Sequence, residues 1–303
     1  MGNLLGSPIT EKETHTGETT SGDEKLKYGL SSMQGWRVHM EDAHIAEVNL
    51  YALDTKNAET EIKLKGHSLF ACYDGHGGTF AAIYAGNNFL RILSKQSNFV
   101  KYAKLCDTET TTTESKTKNE RVIKLDLLEK ALKQAFVETD YEIALAIRGK
   151  PHIDANIIYH YDSTISGNNN KIVNAPIDDE SGDSGTTACV VMITPDSIVC
   201  ANAGDSRAVF ARRVDTAETN TNDSDSNNND TTNNTASTNK AIPLSFDHKP
   251  EDEEETLRIR TAGGYVAGGR VEGDLAVSRG LGDFRFKQMP IIHNYFRTMK
   301  VQE

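Results

Sequence analysis

The chain predicts one large domain that mixes helices and strands. Three observations carry this. At 303 residues it is long enough for a full core. Several short apolar runs end at turn residues, as buried strands do. One longer segment repeats its apolar residues at helical spacing. The hydrophobic content of 37% is low because polar tracts dilute an otherwise ordinary globular composition, so one domain is expected and not two.

Taken in order, residues 1–25 read as a disordered lead-in. From Pro8 to Lys25 they are mainly Thr, Glu, Gly and Ser, with folding expected to begin near Leu26. Met1 to Ser7 approximates an N-myristoylation signal with the hydroxyl one place late. One acyl chain on Gly2 would give only reversible membrane association. Ser68 to Tyr73 is an apolar run stopped by Asp74-Gly75, a strand delivering Asp74 to a turn, and Thr79 to Leu93 follows as a helix. A second helix is marked by Leu128, Leu132, Ala135, Phe136, Ile143 and Ile147, with charged residues between them. Thr187 to Ile193 and Ser197 to Asn202 read as a strand pair joined across Thr194-Pro195-Asp196, with further strands at Arg207 to Arg212 and Ala241 to Phe246. Polar tracts at 107–120, 162–183 and 215–240 hold too few apolar residues to offset their ordering entropy, and are expected as surface-loop inserts. The last helix has Pro250 near its start, acids from Glu251 to Glu255, Arg258 and Arg260 late, and Gly263-Gly264 at its end. The acidic run is read as a solvated face.

A net charge of −11 with no basic stripe argues against nucleic acid as a partner. The four cysteines lack C-x-x-C spacing, which fits a reducing compartment, cytoplasm or nucleus. Cys72 and Cys200 lie in apolar runs and are expected as buried small hydrophobes. No stretch reads as a membrane span or secretion signal, so an intracellular chain is expected and the Asn-x-Ser/Thr triplets at Asn222, Asn229 and Asn233 are compositional.

The residues that carry chemistry are acidic. Glu41, Asp42 and Asp74 could place three carboxylates at adjoining strand ends, and the Gly75 carbonyl adds a further oxygen. Oxygen donors of this kind suit hard divalent cations and point towards hydrolysis at phosphorus. Asp-Gly is equally an ordinary turn signal, and on these residues alone both readings stand.

Context adds a resemblance. Tyr28-Gly29-Leu30-Ser31-Ser32-Met33-Gln34-Gly35-Trp36-Arg37 runs into Met40-Glu41-Asp42-Ala43-His44. In order follow Tyr73-Asp74-Gly75-His76-Gly77-Gly78, Ser184-Gly185-Thr186-Thr187-Ala188, Ala203-Gly204-Asp205-Ser206-Arg207, Asp247-His248-Lys249-Pro250 and Leu275 to Asp283. Over about Tyr28 to Lys287 this series resembles the protein phosphatase 2C family, metal-dependent protein serine/threonine phosphatases. The resemblance implies an α+β fold of two packed antiparallel β-sheets flanked by helices, a catalytic domain over 26–287, and hydrolysis of phosphoserine and phosphothreonine by a metal-activated water. It implies two Mg²⁺ or Mn²⁺ ions, with Asp74 bridging them, Gly75 giving its carbonyl, Glu41 a direct or near-direct ligand, and Asp42 acting through water. Arg37 is then the phosphate-gripping arginine and His76 the general acid. Phosphoproteins are the implied substrates and a monomer the implied state. Gly204 to Arg207 is read as a structural turn in which Asp205 bonds loop amides, and His39 as a surface residue.

The chain also departs from the family's pattern. Two aspartates that complete the metal shell, in Asp-Gly-x-Trp-Asp and Asp-Asn motifs, have no counterpart, residues 288–303 diverge, and Arg285 stands where an acid is common. Asp183 lies one place from where a third, weaker metal's ligand is expected. The expectation is therefore a C-terminally truncated phosphatase, with a catalytically inactive phosphoprotein-binding or regulatory form as the rival reading.

Overall fold

A computed structural model describes residues 4–19, 26–56, 60–108, 118–147, 183–215 and 237–287. The tail at 288–303, Gly2, and most of the three polar tracts lie outside these ranges. The strands are β1 (Leu4–Glu18), β2 (Lys27–Arg37), β3 (Ala43–Glu47), β4 (Leu50–Asp54), β5 (Thr60–Leu64), β6 (Ser68–Tyr73), β7 (Gly75–His76), β8 (Gly185–Thr186), β9 (Ala188–Ile193), β10 (Ile198–Ala203), β11 (Val209–Asp215), β12 (Ser237–Pro243), β13 (Val266–Ala267), β14 (Arg270–Val271) and β15 (Leu281–Gly282). The helices are α1 (Phe80–Lys95), α2 (Ser97–Thr108), α3 (Lys118–Ile147) and α4 (Glu253–Thr261).

The centre is a four-stranded antiparallel sheet in the order β10-β9-β6-β3. Side chains alternate across a strand, so each strand is read twice. Leu69, Ala71 and Tyr73 of β6 and Ala188, Val190 and Met192 of β9 join one buried cluster with α1 and α3. α1 reaches this layer because Ala81, Ala82 and Ala85 let its backbone approach closely, while Phe89, Ile92 and Leu93 fill the space beyond. Phe89 meets Phe136 of α3 edge-on at 5.5 Å between ring centres. Leu128, Leu132, Ala135 and Ile143 of α3 are fully buried, as their spacing predicts. Each buried leucine or isoleucine among them contributes roughly 1.5–3 kcal/mol by leaving water.

The other face of the sheet carries the alternate residues of each strand. Phe70, Cys72, Cys189, Val191 and Ile193 line a cavity of about 390 Å³ with Leu26, Tyr28, Leu30 and Arg207. The expectation for the cysteines is corrected: on this face, away from the helices, Cys72 is exposed and Cys200 half-buried, while Cys189, paired with Cys72 on the same face, is buried.

The mixed α+β class with antiparallel pairing holds throughout the described residues. Beyond the central sheet, the strands form a three-stranded sheet, β15-β8-β7, and separate two-stranded ladders. Four local expectations are corrected. Leu4–Glu18 is a strand paired along its length with β2, so much of the supposed lead-in is ordered by backbone bonding and not by apolar burial. The tract at 107–120 is helical at both ends, in α2 and from Lys118 in α3, and β11 and β12 extend into the tract at 215–240 as far as Asp215 and Ser237. α4 starts at Glu253 behind Asp252, not at Pro250. Glu255 is buried, held by Arg258 and Arg279, so the acidic run is not wholly a solvated face.

Candidate active site

The site is assembled where β6 runs out. After Tyr73 the chain does not turn freely at Asp74-Gly75. It continues as β7, which pairs β8, which in turn pairs β15. Asp74 is fixed on both sides by Thr187: the Asp74 N–H donates to Thr187 Oγ1 at 3.1 Å and the Thr187 N–H to the Asp74 carbonyl at 3.0 Å. Thr187 Oγ1 also lies 2.7 Å from Ser206 Oγ, which ties the Gly204–Arg207 turn to the same rung.

Two glycines are required by close approach. A Cβ on Gly75 would stand 2.1 Å from the Glu41 carbonyl oxygen, so only glycine lets β7 pass the segment carrying Glu41 and Asp42. Gly77 has φ +64°, and a Cβ there would meet the Asp183 carbonyl oxygen at 2.6 Å. The loop then turns into α1, and the Gly78 N–H donates to Glu41 Oε1 at 2.9 Å. Ser184 closes the same loop by accepting from the Ala81 N–H at 3.0 Å and donating to the Gly78 carbonyl at 2.9 Å.

Around this frame lie most of the residues singled out in the sequence. Arg37 ends β2 with its side chain 59% exposed, one guanidinium nitrogen 3.5 Å from Glu41 Oε2. Its planar fork is therefore presented to solvent beside the acids. Desolvation, then the negative charge of Asp42 and Asp205, push the Asp74 carboxyl above its usual range, and a hydrogen bond with Asp42 acts in the same direction. His76 feels opposite forces. Burial lowers its pKa, but a hydrogen bond from Nε2 to Asp283 Oδ1 at 2.8 Å, with the fields of Asp283, Asp74 and Glu41, outweighs burial and raises it. The imidazole is thus biased towards holding a proton.

The structure brings Glu41, Asp42, Asp74, Gly75 and His76 to one end of the central sheet, with Arg37 at its edge. Asp205, expected as a bonding residue of its own turn, instead adds to the charge on Asp74. His39 is exposed, as expected. Asp183 is exposed on the far side of Gly77, where its charge acts on Arg285. Asp283, which the sequence shows only as the end of the Leu275 to Asp283 motif, is the partner of His76. Its one sequence signal is the Gly-x-Gly-Asp turn, and nothing local reveals a partner 207 positions away.

Among the described residues, three neighbouring carboxylates and no buried cation beside them make a donor set whose chemistry fits a hard divalent ion. Among the described residues, however, no three His, Cys, Asp or Glu side chains surround one common point. Glu41 is engaged by Gly78 and Arg37, and the charge of Asp42 acts on Asp74.

Comparison with known proteins extends the picture. The family described as Protein phosphatase 2C matches residues 26–299. The Aspergillus flavus "Protein phosphatase 2C homolog 2" is 34% identical over 291 residues, covering 96% of this chain and 48% of the relative. The Schizosaccharomyces pombe "Protein phosphatase 2C homolog 3" is 33% identical over 287 residues, covering 95% and 47%. The chain thus spans about half the length of these curated relatives. The solved serine-threonine phosphatase 2C of Toxoplasma gondii superposes with a TM-score of 0.49 at 14% identity, over 93% of this chain and 73% of that one.

Proposed function

Since the chain belongs to the protein phosphatase 2C family, we propose that it acts in the hydrolysis of phosphoserine and phosphothreonine in proteins, with water as the attacking group. The observation that carries this reading is the acid cluster at Asp74 set between an exposed arginine and a histidine hydrogen-bonded to Asp283. Glu41, Asp42, Asp74 and the Gly75 carbonyl are the groups that would hold Mg²⁺ or Mn²⁺, two ions in the reading from the sequence. When bound, such ions supply a more acidic water and positive charge for the phosphate.

The chain's own residues do the rest. Arg37 offers two parallel N–H groups to phosphate oxygens, which binds the substrate and offsets charge that builds in the transition state. His76 carries a proton that the departing serine or threonine oxygen needs, since an alkoxide is a poor leaving group. Asp283 fixes the ring through Nε2 and so leaves Nδ1–H as the proton to give. Thr187 and Ser184 hold the strand end and the glycine loop in register and touch no substrate. The same reading makes phosphoproteins the partners, with a monomeric chain of cytoplasm and nucleus. Among the described residues no helix is long and apolar enough to cross a membrane.

The test is phosphate release from a phosphothreonine peptide by the 303-residue chain, with and without Mn²⁺, beside Asp74→Asn. Turnover that needs the metal and vanishes in the variant is expected. A folded chain that binds the peptide without turning it over would replace this reading by the phosphoprotein-binding one.

A further inference from the structure

The turn that carries Asp283 is gripped from behind by a buried ion pair. Asp140, on α3, has a relative exposure of 0%. Its carboxylate accepts from Lys287 Nζ at 2.8 and 3.0 Å and from the Gly282 N–H at 2.7 Å. Lys287 Nζ donates once more, to the Gly280 carbonyl at 2.9 Å. One carboxylate and one ammonium thereby close the segment from Gly280 to Lys287 onto the helix.

What the grip maintains is unusual backbone. Gly282 has φ +80° and Asp283 φ +52°, the left-handed region that residues with a side chain seldom adopt. Such a residue persists only where its surroundings over-determine it. The Asp283 N–H donates to the Ser184 carbonyl at 3.1 Å, and its carboxylate fills the place a Cβ on Gly185 would need, 2.3 Å away. So held, Asp283 meets His76 Nε2. A buried ion pair is a weak source of net stability, since apolar residues of similar volume often serve as well. Its presence here is better explained by the turn it fixes.

We propose that Asp140 is a positioning residue for His76: through Lys287 and the Gly282 N–H it holds the left-handed turn at 282–283, so that Asp283 keeps its hydrogen bond to the imidazole. The catalytic consequence rests on His76 as proton donor. Without the grip the turn relaxes towards negative φ, the Asp283 carboxylate withdraws, and the ring loses its fixed orientation.

The first readout needs no turnover. An imidazole N–H held by a carboxylate gives a low-field proton resonance, which His76→Gln assigns in spectra of the metal-free chain. Asp140→Leu combined with Lys287→Met replaces the ion pair by apolar side chains, and the expected result is loss of that resonance in a protein that still melts cooperatively. Should this pair fail to fold, Asp140→Asn with Lys287→Gln is read in its place. An unchanged resonance in the folded variant overturns the proposal, as does its absence from the parent chain.

The second readout compares leaving groups. The double variant is expected to lose on the order of tenfold or more in kcat on a phosphothreonine peptide and little on p-nitrophenyl phosphate, whose leaving group needs no proton, with KM unchanged. Equal loss on both substrates overturns the positioning role. If His76→Ala itself affects both equally, the general-acid reading fails, and the resonance alone then decides whether Asp140 holds His76.

Discussion

Glu255 shows how a single side chain can invert the reading of its neighbours. Burial alone would raise its carboxyl pKa. Hydrogen bonds from Arg279 and Arg258 outweigh burial and hold it at about 2, against an ordinary 4.5. A depressed carboxylate contributes stability that is fully present above its unfolded value and is lost as pH falls through the folded one. Each unit of depression is worth about 1.4 kcal/mol, so the ionised Glu255, net of its burial cost and reduced by solvent screening, contributes on the order of 2 kcal/mol at neutral pH, fading between pH 4.5 and 2. Melting Glu255→Gln beside the parent across this range should show a gap that closes as pH falls. A gap independent of pH would refute the assignment. In the sequence Glu255 is one acid among five, and only the distant Arg279 marks it as different. Asp74 and Gly75 were legible because each sits in a short, glycine-rich motif. Asp283 was not, because its meaning lies in a partner brought to it by the fold.

At the scale of elements, legibility followed the source of the ordering energy. α3 could be read because its helix buries one face, and Leu128, Leu132, Ala135 and Ile143 record that burial. β1 could not, because its residues are mostly exposed and its order comes from main-chain bonds to β2, which any polar sequence can make. The start of α1 is intermediate. Thr79 stands at the cap position but makes no capping bond with its side chain. Ser184, 103 residues from Ala81, accepts the Ala81 N–H instead. Ser184→Ala should therefore behave as the loss of a helix cap, costing about 0.5–2 kcal/mol. Because the same hydroxyl also holds the Gly78 carbonyl, it should further loosen the loop whose N–H grips Glu41. Denaturant melts measure the first effect. If Ser184→Ala matched the parent in stability, the cap would be ornamental and α1 would owe its start to packing alone.

Across the whole molecule, the site is a meeting of chain segments that are remote in sequence: β2 with Arg37, the β6–β7 junction with Asp74 to His76, β8, and the turn after β15. No window of sequence contains this arrangement, which is why the acids could be named but not their engagement with Gly78, Arg37 and one another. The arrangement has a thermodynamic consequence. Desolvation of Asp74, and then the like charges of Asp42 and Asp205, oppose its ionised form in the folded state and raise its carboxyl pKa. A divalent ion that binds the folded chain removes this penalty and finds no such site in the unfolded one. Linkage then demands that stability rise with free metal, by about 2.7 kcal/mol at a hundredfold excess over the dissociation constant. In a thermal melt, the transition of the chain should move upward with Mn²⁺ concentration. Asp74→Asn should start from a higher midpoint, because one repelling charge is gone, and should respond less to the metal. A variant that begins no higher would mean that the carboxylates do not repel in the folded state. A parent chain indifferent to Mn²⁺ would mean that these groups, as arranged over the described residues, do not form a metal centre.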